Sequence, residues 1–418
     1  FVPPSPSLIL YVLFAILFLP VYFHIAFFTP PFLLLSLLSN RRRMAVRLLP
    51  LVSLALCTTA PQVTLPHGTF TGKLVTISDT HTGPTTLAVF PNIPFAMPPI
   101  GPRRFQPPVP LPASTRVYEL DEQWRTCAQL GGTLGNEDCL YFDATLPWNV
   151  TANAPAGTAD LLGRIWIYGG GYVFGDKEQQ GLYSPLAIVA RTGVAHFNIN
   201  YRLGVLGFAA LDGVKAPGSA AILDQQLAIQ LIATNAPAFG VKPGSFMLYG
   251  ESAGAFSVCV QLALPETTKH LAVAVMESGN CVNPAFFQPI DEARAYSKAF
   301  AASRGCSDLQ CMQELTVLEL LADLPVDQAA TAGGPPSPLF APVMPWGPAI
   351  GGDALLQAAP GDSITSTIPL ILGTNEDEGD IFLAALPFVV GVVLPLDEYE
   401  AHKTLKHVFA NETVVSSI

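Results

Sequence analysis

The sequence predicts an α/β fold with a mostly parallel central sheet covered by helices on both faces. Three observations carry that expectation. From Gly163 onward, short apolar runs of strand length alternate with helical stretches. A G-x-S-x-G pentad stands between one such strand and a small apolar run, and a triple glycine directly follows another strand.

The 418 residues are 50% hydrophobic and only 13% charged, with 21 Lys and Arg against 32 Asp and Glu and a net charge of -11. An acidic balance excludes a nucleic-acid partner held by a basic surface, and the apolar content excludes a disordered chain. The mean hydropathy of +0.41 owes much to residues 1–38, which hold no charged side chain. Leu8 to Leu38 is long enough to span a bilayer, for which about 20 apolar residues suffice, although Pro20, Pro30 and Pro31 interrupt it. Arg41, Arg42, Arg43 and Arg47 follow, and in a true anchor they would hold everything after them in the cytosol.

Met44 to Arg47, the apolar Leu48 to Cys57 and the small run Thr58-Thr59-Ala60 have instead the charged start, short core and small-residue exit of a secretory signal peptide. The expected organisation is therefore an apolar segment 1–43 wrongly joined upstream as a gene-model artefact, a signal peptide 44–60 cut near Ala60, and a secreted domain from residue 61. Membrane contact is expected only if residues 8–38 are a genuine anchor. Without Cys57 six cysteines remain, Cys127, Cys139, Cys259, Cys281, Cys306 and Cys311, an even number that fits disulfides. No C-x-x-C occurs and no His adjoins these residues, so neither a metal nor any cofactor is expected. Asn149-Val-Thr151 and Asn411-Glu-Thr413 are glycosylation acceptors by pattern.

Taken in order, Gln62 to Pro112 is rich in Pro and Gly without helical periodicity, which predicts a small β region with loops. Strands are expected over Arg164 to Tyr168, Val194 to Ile199, Phe246 to Tyr249, Leu271 to Met276 and Ile368 to Leu372. Leu223, Leu227 and Leu231, four apart, predict one helix, and Asp308 to Ala322 predicts an amphipathic second.

Gly250-Glu251-Ser252-Ala253-Gly254 follows the third of these strands, the strand-turn-helix context that a nucleophile elbow needs. The flanking glycines suit a strained turn in which backbone approaches backbone. Tyr168-Gly169-Gly170-Gly171 cannot be a dinucleotide loop, because counting from Gly169 the last glycine position of G-x-G-x-x-G falls on Phe174. It suits an oxyanion hole, with a further donor from the Ala253 N–H. Asn375-Glu376-Asp377-Glu378-Gly379 supplies an acid past the last expected strand. In the order Ser, acid, His, only His402 and His407 follow it, and both fall in a charged amphipathic stretch that reads as a surface helix.

These residues resemble the type-B carboxylesterase/lipase family, the cholinesterase-like branch of the α/β-hydrolase fold. The resemblance runs from Gln62 to about Ala384 and rests on Pro66-His-Gly-Thr69, Pro94 to Pro99, Glu137-Asp-Cys-Leu-Tyr141, Trp166 to Gly171, Asn200 to Gly204, Leu223-Asp-Gln225, Gly250 to Gly254 and Asp377-Glu-Gly379. It implies a serine ester hydrolase with Ser252 as nucleophile, Glu378 as triad acid and Gly170, Gly171 and Ala253 as oxyanion donors, acting on a small-molecule carboxylic ester. It also implies disulfides Cys127–Cys139 and Cys306–Cys311 and a structural ion pair between Glu137 and Arg202. The family's catalytic His lies far beyond the residues left after Glu378, so the resemblance further implies a chain truncated at its carboxyl end, with 61–418 an incomplete catalytic domain.

Three functions compete on this reading: a secreted hydrolase, a non-catalytic cholinesterase-like binding protein or inactive fragment, and a membrane-anchored hydrolase resting on residues 8–38. Retention of Ser252, its glycines and Glu378 favours the first. The short loop between Cys127 and Cys139 leaves little chain for a mobile lid, so dissolved short-acyl esters are expected rather than a lipid surface.

Overall fold

The computed structural model describes residues 60–78, 83–149, 152–155, 161–281, 287–322 and 346–378. The apolar segment 1–43, all of the signal-peptide stretch but Ala60, His402, His407 and Asn411 lie outside them.

Strands β1 (Gln62–Leu65) and β2 (Gly68–Thr71) form a hairpin over Pro66-His67, and β3 (Lys73–Ile77) pairs antiparallel with β4 (Thr85–Pro94). β5 (Val117–Glu119) runs parallel beside β2 and completes a small three-stranded sheet. The main sheet adds β6 (Tyr141–Asn149), β7 (Ala154–Pro155), β8 (Leu161–Ile167), β9 (Ala195–Ile199), β10 (Val241–Glu251), β11 (Leu271–Glu277) and β14 (Leu370–Gly373). Two short strands, β12 (Gln288–Pro289) and β13 (Ala349–Ile350), pair with each other apart from it.

The order across the main sheet is β14-β11-β10-β8-β9-β6-β4-β3, with β7 on β6. From β14 to β9 all neighbours are parallel, and from β9 through β6 and β4 to β3 all are antiparallel. The five strands expected from the sequence make up the parallel half. The Pro- and Gly-rich start, expected as a small β region with loops, divides between the small sheet, which takes β1 and β2, and the main sheet, which takes β3 and β4. β6 had no expectation at all, since Asp143, Thr145 and Pro147 break its apolar pattern.

Side chains alternate across the strands and meet different covers. Phe246 and Leu248 of β10 and Ala274 and Met276 of β11 are fully buried on the side where the helix Ala253–Leu262 packs. The helix Leu186–Thr192 lies over Leu87 on the opposite side. Leu223, Leu227 and Leu231 do lie in one helix, Ala220–Thr234, but they are only half-buried. Its innermost side carries Ala221, Ile222, Ala228, Ile229 and Ile232. The helix is apolar on nearly every side, so leucine spacing alone could not single out the core face.

The stretch Asp308 to Ala322 is two short helices rather than one. Asp308 caps Leu309–Glu314 by accepting the Cys311 N–H at 2.9 Å, and Thr316 with Glu319 forms a capping box that starts Val317–Leu321 anew. The expected ion pair is also replaced. Glu137 accepts two bonds from Arg104, at 2.6 and 2.7 Å, while Arg202 grips Asp224 through two bonds of 2.7 Å. Each carboxylate matches one guanidinium fork, so Glu137 has no need of Arg202. Arg104 also donates to the carbonyls of Met312, Gln313 and Leu315, which ties the loop bearing Glu137 to the end of the helix Leu309–Glu314.

Candidate active site

Ser252 stands where β10 ends and the helix Ala253–Leu262 begins, with φ 54° and ψ -121°. An L-residue adopts such a conformation only when its surroundings impose it. They do so here through a bond from the Ser252 N–H to the Glu277 carbonyl of β11, 2.9 Å long, and through the close fit of Gly254. A Cβ added at Gly254 would lie 2.1 Å from the Ile167 carbonyl oxygen at the end of β8, so only glycine lets the helix start against that strand.

β8 leads directly into Tyr168-Gly169-Gly170-Gly171, which therefore lies alongside the elbow. A Cβ built on Gly169 would come within 3.1 Å of the Ser252 Cβ. Gly170 has φ +104°, and any side chain there would strike the Phe174 carbonyl oxygen. That conformation lets the Gly170 carbonyl accept the N–H groups of both Val173 and Phe174, at 3.1 and 3.2 Å. The carbonyl is thereby turned into the loop. Among the described residues no protein group accepts the N–H of Gly170, Gly171 or Ala253.

The acid candidate follows from the neighbouring strands. Ser278, just past β11, gives its N–H to the Gly373 carbonyl of β14 at 2.7 Å. Its side chain bonds to Glu378, whose carboxylate also accepts the Asn375 N–H at 2.8 Å. The Ser278 bond, and after it the Asn375 N–H, hold the Glu378 carboxyl below its usual range. Sequence reading missed Ser278, since a serine leaving a strand carries no signal of its own. It also missed Glu251, the residue before Ser252. Burial, then the nearby charges of Glu277 and Glu378, push its carboxyl up to about 7.

No described histidine bonds to Ser252 or Glu378. His67 lies in the turn between β1 and β2, His196 inside β9, and His270 just before β11. Burial lowers the pKa of all three, that of His196 to about 4.

Cys127 and Cys139, Cys259 and Cys281, and Cys306 and Cys311 each form a disulfide, joining residues 12, 22 and 5 apart in sequence. The Cys259–Cys281 bond fastens the helix after Ser252 to the segment after β11. Asn149 is the exposed last residue of β6. Among the described residues no group of three or more His, Cys, Asp or Glu could hold a metal ion, and no helix is long and apolar enough to cross a membrane.

Compared with known proteins, the sequence matches the Carboxylesterase family over residues 59–413. The chain belongs to that family. It is 30% identical to a cholinesterase of Mus musculus over 331 residues, 71% of this chain and 51% of that protein. It is 35% identical to an acetylcholinesterase of Gallus gallus over 265 residues, 59% of this chain and 33% of the relative. The chain thus spans about half or less of the curated relatives it matches. Among solved structures it resembles Geobacillus stearothermophilus carboxylesterase EST55 (TM-score 0.68, 26% identity, 83% of this chain and 67% of the other). A thermophilic pNB esterase is similar too (TM-score 0.66, 25% identity, 86% and 70%). These matches show the α/β-hydrolase fold.

Proposed function

We propose that the chain works as a secreted serine carboxylester hydrolase. The observation that carries this reading is the placement of Ser252: strained at the end of β10, beside a glycine loop whose Gly170 and Gly171 N–H groups bond to no described protein group, and with only β11 between β10 and the strand that leads to Glu378. In this reading Ser252 Oγ attacks the ester carbonyl while its proton passes to a histidine oriented by Glu378. That histidine comes from none of the described residues. The N–H groups of Gly170, Gly171 and Ala253 stabilise the tetrahedral oxyanion, the alcohol departs with the proton, and water then releases the acid from the acyl-enzyme. Three disulfides, the signal-peptide pattern and the sequons at Asn149 and Asn411 support secretion. The short Cys127–Cys139 loop supports dissolved short-acyl esters as substrates.

The test is to express the full chain, treat it with a fluorophosphonate and digest it for mass spectrometry, with hydrolysis of p-nitrophenyl acetate measured in parallel. The expected result is a single adduct on Ser252, with both labelling and hydrolysis lost in Ser252→Ala. Equal hydrolysis by the two proteins, or no adduct at Ser252, would leave a binding protein as the better reading.

A further inference from the structure

Tyr172, the residue after the glycine run, is fully buried and has φ 61°, so its backbone is held in a conformation that aromatic residues rarely adopt. Its ring lies 4.8 Å from that of Phe208, and its carbonyl accepts the Gly204 N–H at 2.7 Å. These contacts would serve a phenylalanine equally well. The hydroxyl needs a separate account, because a buried phenol without a partner is unfavourable.

Its partner is Ser257, on the helix that begins with Ala253: the Ser257 hydroxyl donates to the Tyr172 oxygen at 3.3 Å. Ser257 accepts in turn from the Gln225 side-chain amide at 2.9 Å. The Gln225 carbonyl oxygen accepts from Gln261 at 3.4 Å, and Gln261 accepts from Thr267 at 2.7 Å. Ser257, Gln225, Gln261 and Thr267 all have 0% exposure. A polar chain buried to this degree, with a partner at each step, is rigid and specifies one arrangement.

The two ends of that bond matter. Tyr172 adjoins Gly170 and Gly171, while Ser257 belongs to the helix whose first residue supplies the third N–H and whose cap is Ser252. We propose that the Tyr172 hydroxyl is a positioning group that locks the glycine loop to the elbow helix through Ser257, fixing the Gly170 and Gly171 N–H groups relative to Ser252. Its catalytic consequence rests on the hydrolase reading above. Its structural consequence does not.

The experiment uses the full chain, with Tyr172→Phe, Ser257→Ala and the double variant. Each removes one side of the bond and keeps the packing. Hydrogen exchange of the peptide covering 169–175 should quicken at least about threefold in both single variants, and no further in the double. Unchanged exchange overturns the proposal, whether or not the protein hydrolyses esters. With p-nitrophenyl acetate, kcat should fall about tenfold in all three while KM stays within about twofold, since misplaced oxyanion donors affect the transition state and not substrate binding. A lower melting temperature with unchanged kcat, or a loss confined to KM, overturns the catalytic part. A wild-type chain inert toward esters, with exchange quickened as expected, sinks the hydrolase reading and leaves the lock standing.

Discussion

The side chain of Ser278 bonds to the carboxylate of Glu378, one residue beyond the Glu277 carbonyl that receives the Ser252 N–H. The end of β11 therefore serves both candidates at once: residue 277 fixes the serine, and residue 278 holds the acid and lowers its pKa.

Removing the charge should matter more than removing its support. Glu378→Gln is expected to lower kcat by roughly 10³-fold, because an amide cannot stabilise an imidazolium. Ser278→Ala leaves the Asn375 N–H in place and should lower kcat about tenfold. Steady-state kinetics on p-nitrophenyl acetate distinguish the two, and a Ser278→Ala loss as large as that of Glu378→Gln would show that Ser278 does more than hold the acid.

Gly254→Ala pushes a methyl group into the Ile167 carbonyl, and the helix cannot retreat without unseating Ser252. The expected cost is about 3 kcal/mol or more, read from urea unfolding, against under about 1 kcal/mol for Ser252→Ala at the same turn.

Arg104→Met strands the Glu137 carboxylate in the interior and frees three carbonyls at a helix end. A loss of about 3–5 kcal/mol follows from leaving one buried charge unpaired, and Arg104→Met with Glu137→Met together should recover much of it. Chemical denaturation of the two variants and the pair measures the coupling directly.

Glu251 is a raised acid, so the folded state binds its proton more tightly than the unfolded chain does. Its stabilising contribution is complete below the ordinary glutamate range and disappears as pH climbs from about 4.5 through about 7. Glu251→Gln should thus raise the melting temperature by about 2 °C at pH 8 and leave it unchanged or lower at pH 4. A gain of the same size at both pH values would rule out titration of this carboxyl as the cause.

What was legible in the sequence is the local chemistry. The Gly250–Gly254 pentad and the glycine loop are punctuated by residues whose geometry is dictated within five positions, and the strands of the parallel half read as apolar runs, from the wholly buried β9 to β14 at the exposed edge. Pairings over long separations were not legible. Arg104, Arg202, Glu137 and Asp224 are two acids and two bases of similar character, and nothing in their spacing says which fork meets which carboxylate. Lys177, in the charged run Asp176-Lys177-Glu178, is completely buried, bonded to Asp143 of β6 and to Glu178 at 2.7 Å each. That same Asp143 helped hide β6, so the residue that breaks the strand's apolar pattern is the partner that lets a lysine be buried beside it.

The strand order also sets a timetable for the nascent chain. β8 ends up between β9 and β10, and β10 can pair with β8 only after both intervening crossovers have been made. By then the glycine loop at the end of β8 has been synthesised and its far edge is already taken by β9. The elbow arrives afterwards and seats against that loop, in a pairing of two strands far apart in sequence, which is expected to be slow. β11, whose Glu277 carbonyl receives the Ser252 N–H, is made later still, so the strained backbone of the serine is complete only once that next strand has docked.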